Sequence, residues 1–281
     1  MEHYTLIGHP LGHSMSPFIH ARLFQMSGRT ADYTLTEIVP ERLAEQETFL
    51  RSLQGFNITI PHKMEIIPML DKLDESAKRY RSVNCVANDN GTLVGYNTDC
   101  DGFTMSVKDY PMDKNVLLIG CGGVGRMMAT EALRSGANLT IGIIPQDQTL
   151  VENFITEVRE MIPDANVQYQ LTTEIHESFD VILNASPVGM FPKTAFCPVP
   201  DELIENASYF FDVIYHPTKT LLLQKAERLG KVTKGGAAML VLQAVRAHEI
   251  WYGGQFSDAQ IHSIVQDMEK EIVRRDNEKG A

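Results

Sequence analysis

Two side chains suited to moving a proton follow short apolar stretches of this 281-residue chain. Lys63 ends Gly55-Phe56-Asn57-Ile58-Thr59-Ile60-Pro61-His62-Lys63, and Asp99 ends Tyr96-Asn97-Thr98-Asp99. A lysine held beside an amide and a hydroxyl can give or take a proton, and a nearby carboxylate fixes where its ammonium points. Each residue also has a plainer explanation. Lys63 reads equally as a surface lysine after a half-buried edge strand. An aspartate after Asn-Thr reads equally as a helix N-cap or turn former, because its side chain bonds nearby backbone.

The elements that must hold this pair are readable from periodicity. Phe56, Ile58 and Ile60 alternate with Asn57 and Thr59, the period of two that puts apolar groups on one sheet face and polar groups on the other. Pro61 lacks the N–H a ladder needs, so the strand stops there. Upstream, Tyr4 to Gly8 reads as a strand and Gly8 to Pro17 as the turn after it. Pro17 suits the first turn of a helix carrying Phe18, Ile19, Ala21, Leu23 and Phe24, which makes Ser16 its N-cap. Capping leaves Ser14 unexplained, and hydroxyls beside a helix N-terminus favour an anion such as a carboxylate. Pro40 to Leu53 reads as an amphipathic helix through Leu43, Leu50 and Leu53. Glu65 to Tyr80 reads as helical with an interruption at Pro68. Strands over Ser82 to Ala87 and Thr92 to Tyr96 are joined by Asn88-Asp89-Asn90-Gly91, a hairpin signal.

From Asn115 the pattern changes. Val116-Leu117-Leu118-Ile119 is an unalternating run, as for a strand buried on both faces, and Gly120-Cys121-Gly122-Gly123-Val124-Gly125 follows it and opens a helix. Strand before, helix after and a second strand from Leu139 to Ile144 are the setting in which this glycine spacing binds a dinucleotide, its pyrophosphate on the helix N-terminus. A tight strand-to-helix turn is the structural alternative. The second strand ends Gly142-Ile143-Ile144-Pro145-Gln146-Asp147, with neither an acid at its tip for a ribose 2′-hydroxyl nor an arginine for a 2′-phosphate. A helix over Val151 to Met161 follows, with strands over Val167 to Leu171, Val181 to Leu183 and Tyr209 to Ile214. Asn184 to Pro200, with four prolines, reads as a loop at the sheet's carboxyl edge. Gly235 to Val245 is an apolar helix broken by Gln243, which faces a polar site or solvent. The tail from Asp267 to Ala281 is highly charged and expected to fray.

Composition narrows the partners. The hydrophobic fraction is 43%, the charged fraction 22%, and 36 acids against 25 bases give a net charge of −11. That balance argues against nucleic acid or an anionic membrane as partner and leaves any anionic ligand to be met locally. The start has no basic n-region, and no window has the length of a membrane span. Four cysteines without C-x-x-C spacing point to free thiols in a reducing cytoplasm, and nine dispersed histidines argue against a metal. The expected fold is α/β. The chain's length suits two domains of ordinary size.

Five segments in this order resemble the shikimate dehydrogenase family over nearly the full chain: Ser14-Met15-Ser16-Pro17, Asn57 to Lys63, Asn97-Thr98-Asp99, Gly120 to Gly125 and Asn184 to Met190. Ser82-Val83-Asn84, Asp212 to Thr218 and Gly236 to Gln243 support it. The resemblance implies a substrate-binding domain of residues 1–101 with 237–281, a Rossmann-type dinucleotide-binding domain of residues 102–236, and reversible hydride transfer between a nicotinamide and C3 of the shikimate ring, in aromatic amino acid biosynthesis. It implies Lys63 and Asp99 as the catalytic pair, with Lys63 as proton donor. It implies Ser14, Ser16, Asn57, Thr59, Asn84, Thr98, Tyr215 and Gln243 at the substrate. Gly120, Gly122, Gly123, Val124, Gly125, Asn184, Ser186, Met190, Gly236 and Met239 would lie at the cofactor. Members that use NADP carry Asn-Arg-Thr where this chain has Ile143-Ile144-Pro145, which tilts the choice between NADP and NAD toward NAD, unless another base such as Arg126 substitutes. Alternatives are a quinate or aminoshikimate dehydrogenase of the same superfamily and, in another class, a non-catalytic nucleotide-binding sensor. A monomer or homodimer is expected.

Overall fold

The computed structural model describes residues 1–12 and 14–279. His13 of the expected turn and the last two residues of the expected tail lie outside the described residues. By its contacts the chain divides into two units. One comprises Met1–Gly102 and Leu240–Glu271; the other comprises Phe103–Met239 and the segment that begins at Ile272.

The first unit holds a mixed six-stranded sheet built from β1 (Glu2–Gly8), β2 (Ala31–Glu37), β3 (Gly55–Ile58), β4 (Lys72–Leu73), β5 (Cys85–Asp89) and β6 (Thr92–Tyr96). Their order is β2-β1-β3-β5-β6-β4, with β1 parallel to β2 and β3, and β5 antiparallel to both neighbours. The hairpin signal at 88–91 closes β5 onto β6. β2 is absent from the sequence reading. Its helices are α1 (Ser16–Met26), α2 (Glu47–Arg51), α3 (His62–Glu65) and α4 (Glu75–Tyr80), and α5 (Thr98–Ser106) carries the chain out of this unit. The helix expected over 40–53 is two 3₁₀ turns and α2. Leu43, Leu50 and Leu53 still reach the core beside Phe56 and Ile58, because a seven-residue leucine spacing suits short turns as well as one helix. The segment 65–80 is likewise broken: Pro68 sits in a 3₁₀ turn, and α4 starts afresh under Asp74, whose carboxylate accepts the Ser76 N–H at 2.8 Å.

The second unit holds a parallel six-stranded sheet of β7 (Asn115–Ile119), β8 (Asn138–Ile143), β9 (Val167–Leu171), β10 (Val181–Asn184), β11 (Tyr209–Asp212) and β12 (Val232–Gly235), in the order β12-β11-β10-β7-β8-β9. This is the doubly wound Rossmann-type order, and its direction reverses between β7 and β10, where such sheets take their ligands. Val116, Leu117 and Leu118 are all wholly buried. The helices are α6 (Gly123–Arg134), α7 (Gln148–Met161), α8 (Asp201–Asn206) and α9 (Leu221–Arg228). Two more helices end the chain: α10 (Gly236–Tyr252) and α11 (Asp258–Lys279). The tail expected to fray is therefore helical over its described residues, with an i,i+4 pair of Arg274 and Glu278 on it. The residues from Ile272 count with the second unit, where the sequence reading placed them with the first.

α1 and α10 meet through two buried histidines of the first unit. His20 Nδ1 and His248 Nε2 are 2.8 Å apart, and His248 Nδ1 lies 2.5 Å from the Tyr252 hydroxyl. Burial holds His248 down to about 3, and burial together with His248 holds His20 well below the ordinary imidazole range. Both rings are therefore neutral in the folded chain, while unfolding lets them take protons below about pH 6.5. Their contribution to stability is fully present above that pH and is lost as the pH falls toward the folded values. Each ring contributes a slope of up to about 1.4 kcal/mol per pH unit. Urea unfolding at pH 7.5, 6.5 and 5.5 should show wild type losing stability toward acid, and His248→Gln losing it less steeply; parallel slopes would rule the pair out as the cause.

Candidate active site

Lys63 is delivered by a turn fixed from several sides. β3 ends at Ile58, Thr59 still gives its N–H to the Ile7 carbonyl at 2.9 Å, and α3 begins after Pro61. Ile60, expected on the buried face with Phe56 and Ile58, is 73% exposed because the strand has already ended. His62 is wholly buried, and its Nε2 meets the Ile38 carbonyl at 2.7 Å, so that nitrogen carries the proton. The Lys63 carbonyl accepts the Val83 N–H at 2.8 Å. With the backbone so held, Lys63 Nζ donates to Asp99 Oδ2 at 2.6 Å, the side chains being 23% and 12% exposed.

Asp99 is free to make this contact because its neighbour does the capping. Asn97 Oδ1 accepts the N–H groups of Asp99 and Cys100 at 3.1 and 3.4 Å, while Asn97 Nδ2 donates to the Ser82 carbonyl. The plainer explanation of Asp99 as the N-cap of α5 is thereby taken by Asn97.

Behind the pair runs a directed series of amides. Asn84 Oδ1 accepts the Thr98 N–H at 2.7 Å and its hydroxyl at 3.2 Å. That fixes Asn84 Nδ2 as the end that donates to Gln243 Oε1 at 3.0 Å. With its oxygen used, Gln243 keeps its NH₂ group to donate. The Asn84 carbonyl accepts the Ile58 N–H and Asn57 Nδ2, at 2.9 and 3.1 Å. The structure thus joins Asn57, Asn84, Thr98 and Gln243 by hydrogen bonds, with Asp99 next to Thr98 in the chain and the Lys63 carbonyl holding Val83 next to Asn84. Thr98 differs from expectation: it is wholly buried and its hydroxyl is spent on Asn84, so it orients that amide rather than facing outward.

At α1, Met15 takes the cap position and Ser16 is the first helical residue. Ser14, not Ser16, supplies the local acceptor, its Oγ taking the Ser16 N–H at 3.2 Å. Thr59 lies over Gly8, where a Cβ would come 2.4 Å from the threonine methyl. A residue the sequence reading missed is Tyr33 of β2, whose hydroxyl donates to Asn57 Oδ1 at 2.8 Å. The run Ala31-Asp32-Tyr33-Thr34-Leu35-Thr36-Glu37 holds enough β-formers to have signalled a strand.

In the second unit the glycine turn has three jobs. Gly120 has φ +94°, and a Cβ on Gly125 would meet the Gly120 carbonyl at 2.3 Å, so α6 can pack on the turn only with glycine there. Gly122 and Gly123 have no atom within 4 Å of a built Cβ, and Val124 is 37% exposed. α6 has no side-chain cap bond and no acid in its first turn, which leaves its N–H groups for an anion. Asn184, expected at the cofactor, is wholly buried. Its Nδ2 donates to Asp212 and its Oδ1 accepts the Ser186 N–H and hydroxyl at 3.1 and 2.7 Å, so it shapes the loop carrying Ser186. Burial pushes Asp212 up to about 6 against bonds from the Ile214 N–H, Thr220 and Asn184. Met190 is 46% exposed, whereas Met239 is 7% exposed. A Cβ on Gly236 would fall 1.9 Å from the Val213 carbonyl, so that position is fixed by backbone packing. Tyr215 is half-buried, and burial raises its phenol. At the tip of β8, Ile143 is buried and Ile144 is 51% exposed. Among the described residues no group of three or more His, Cys, Asp or Glu is placed to hold a metal ion, and no helix is long and apolar enough to cross a membrane.

Residues 6–86 match the family described as the shikimate dehydrogenase substrate binding domain. A shikimate dehydrogenase (NADP(+)) of Caldanaerobacter subterraneus is 34% identical over 265 residues, covering 90% of this chain and 92% of that one. Among solved structures, a shikimate dehydrogenase in complex with NADP+ has a TM-score of 0.86 at 30% identity, covering 95% of each chain. Shikimate 5-dehydrogenase from Listeria monocytogenes, in complex with shikimate and NAD, has a TM-score of 0.82 at 29% identity, covering 94% of this chain and 96% of that one.

The cap assignment is open to measurement. Removing a side-chain cap costs about 1 kcal/mol, up to about 2, so Asn97→Ala should lower the thermal midpoint by a few degrees. Asn97→Asp, which keeps the acceptor, should lose less. A melting curve of Asn97→Ala that overlays wild type would mean the cap lies elsewhere.

Proposed function

Since the chain belongs to the shikimate dehydrogenase family, we propose that it catalyses the reversible, nicotinamide-dependent reduction of 3-dehydroshikimate to shikimate. The observation that carries this reading is the Lys63–Asp99 pair at 2.6 Å. The first unit is then the substrate domain and the second the dinucleotide domain. Gly120, Gly122, Gly123, Val124 and Gly125 with the open N-terminus of α6 suit a pyrophosphate, and a bound reduced nicotinamide supplies the hydride.

The chain's own residues manage charge and position. Lys63 Nζ has three N–H donors, and Asp99 engages one. Another is available to the ring carbonyl oxygen, so that as negative charge grows there Nζ stabilises it and then releases its proton to it. In the oxidative direction Nζ takes that proton back from the hydroxyl. Asp99 aims the lysine throughout. Ser14 and Ser16, at the start of α1, offer hydroxyls to the substrate carboxylate. Thr59, Asn84 and Gln243 serve the ring hydroxyls, and Asn57 and Thr98 hold Asn84.

The tip of β8 favours NAD. No cation stands at Ile143-Ile144-Pro145, and Arg126 and Asp147 both act on the thiol of Cys121 within the glycine turn. A relative at 34% identity is named for NADP(+), and a solved neighbour is in complex with NAD, so the choice rests on this chain's own residues.

Two measurements test these assignments. Lys63→Ala should lower kcat for shikimate oxidation by about 10²–10⁴-fold while dinucleotide binding, followed by calorimetry, stays within about twofold; near wild-type turnover would remove Lys63 from the chemistry. Calorimetric titration of the unliganded protein should give tighter binding of NAD than NADP. Ile144→Arg should move the ratio toward NADP by roughly tenfold or more, the worth of one charge-assisted bond. Preference of the wild type for NADP would reverse the cofactor assignment.

A further inference from the structure

β2 lies at the edge of the first sheet and carries a tyrosine that the proposed reaction leaves without a role. The Tyr33 hydroxyl meets Asn57 Oδ1 at 2.8 Å, and the Ser16 hydroxyl lies within hydrogen-bonding reach of the same phenol. Its ring stacks flat on His20, with centroids 4.0 Å apart and planes 5° from parallel, and His20 is itself held by His248. A side chain clamped in this way cannot follow a partner that moves.

The direction of the contact is forced. Asn57 Nδ2 donates to the Asn84 carbonyl, which can only accept, so Asn57 Oδ1 must face Tyr33. The phenol has one proton, and Oδ1 takes it. Toward Ser16 it therefore offers only lone pairs. Asn57 in turn is bonded to the backbone of the residue whose side chain orients Gln243. Tyr33 thus stands at the head of Tyr33–Asn57–Asn84–Gln243, on a rigid aromatic base remote from Lys63 in this order of contacts.

We propose that Tyr33 is a positioning residue that acts through Asn57, setting the affinity of the first unit for its carboxylated polyol without entering proton transfer. This rests on the proposed function for the identity of the polyol. It separates binding from chemistry: Lys63 and Asp99 govern turnover, while Tyr33 and Asn57 govern occupancy.

The test is Tyr33→Phe, which keeps the ring and its stack on His20 and removes only the hydroxyl. KM for shikimate should rise about tenfold, the worth of one orienting hydrogen bond, with kcat within about twofold and the dinucleotide KM unchanged. Tyr33→Phe added to Asn57→Ala should weaken binding by less than twofold beyond Asn57→Ala alone. An unchanged KM, a fall in kcat at constant KM, or full additivity of the two substitutions would each overturn the proposal. Trp251, the only tryptophan, belongs to the same unit and gives a fluorescence titration of shikimate binding that needs no turnover. Wild type that binds shikimate without oxidising it would overturn the proposed function and leave this titration to decide Tyr33. Wild type that does neither would overturn both. Should Tyr33→Phe fail to fold by circular dichroism, Asn57→Ala probes the same link from its other end, and wild-type affinity in that variant overturns the proposal.

Discussion

An amide buried away from water must satisfy both of its ends, and Asn84 is the point where that requirement organises the first unit. Leaving one end unpaired costs about 1–3 kcal/mol, a large share of the stability of an ordinary domain. The Thr98 N–H settles the question of direction, because a backbone N–H can only donate. From that one bond the orientation of Asn84 follows, then that of Gln243. The backbone of the same residue ties β5 to the end of β3 and to Asn57. A proton-transfer group needs this kind of support, since misplacement by an ångström costs orders of magnitude in rate. Lys63 receives it through its own carbonyl, held by Val83, next to Asn84 in the chain.

A chain with a net charge of −11 has to meet an anionic ligand with local donors, and the two units hold different ones. The first unit uses hydroxyls, amides and one lysine whose charge is already balanced by Asp99. The second uses bare backbone at the start of α6, where glycines at 122 and 123 leave the approach open. Neither device depends on an overall positive field. Both depend on excluding local acids: α6 has none in its first turn, and the carboxylate nearest Lys63 is the one that aims it.

Much of this was legible in the sequence where periodicity or a backbone requirement writes itself into residue types. The alternation through Phe56 and Ile58, the apolar run of β7, the hairpin at 88–91 and the glycine turn all appear where they were expected. What could not be read was which partner consumes each polar atom. Asp99 and Asn97 are both competent caps, and only three-dimensional placement gives the task to Asn97. Thr98 and Asn184 look like ligand-binding residues by type, yet their side chains are turned inward and spent on Asn84, Ser186 and Asp212. β2 was missed because a half-exposed edge strand alternates weakly, with Leu35 39% exposed. Tyr33 went with it. The helix expected over 40–53 failed for the converse reason: leucine spacing records which side chains reach the core, not the path taken between them.

The polar residues of the site therefore divide by what remains after their structural bonds are counted. Asn97 has its oxygen on two N–H groups and its NH₂ on a carbonyl; Thr98 and Asn184 are buried and bonded to their neighbours. These residues build. Gln243 has its oxygen fixed and its NH₂ left to donate, and Lys63 has one of three donors engaged. These are available to a ligand, and their donors suit the accumulating negative charge of a carbonyl under reduction. The same count explains why Lys63 and Asp99 act together: an aspartate that also capped α5 would be drawn toward the backbone, and a lysine without that carboxylate would have no preferred direction. Relieving Asp99 of the cap is what leaves it to the ion pair at 2.6 Å, the proposed proton source, and Asn97 is the residue that makes this possible.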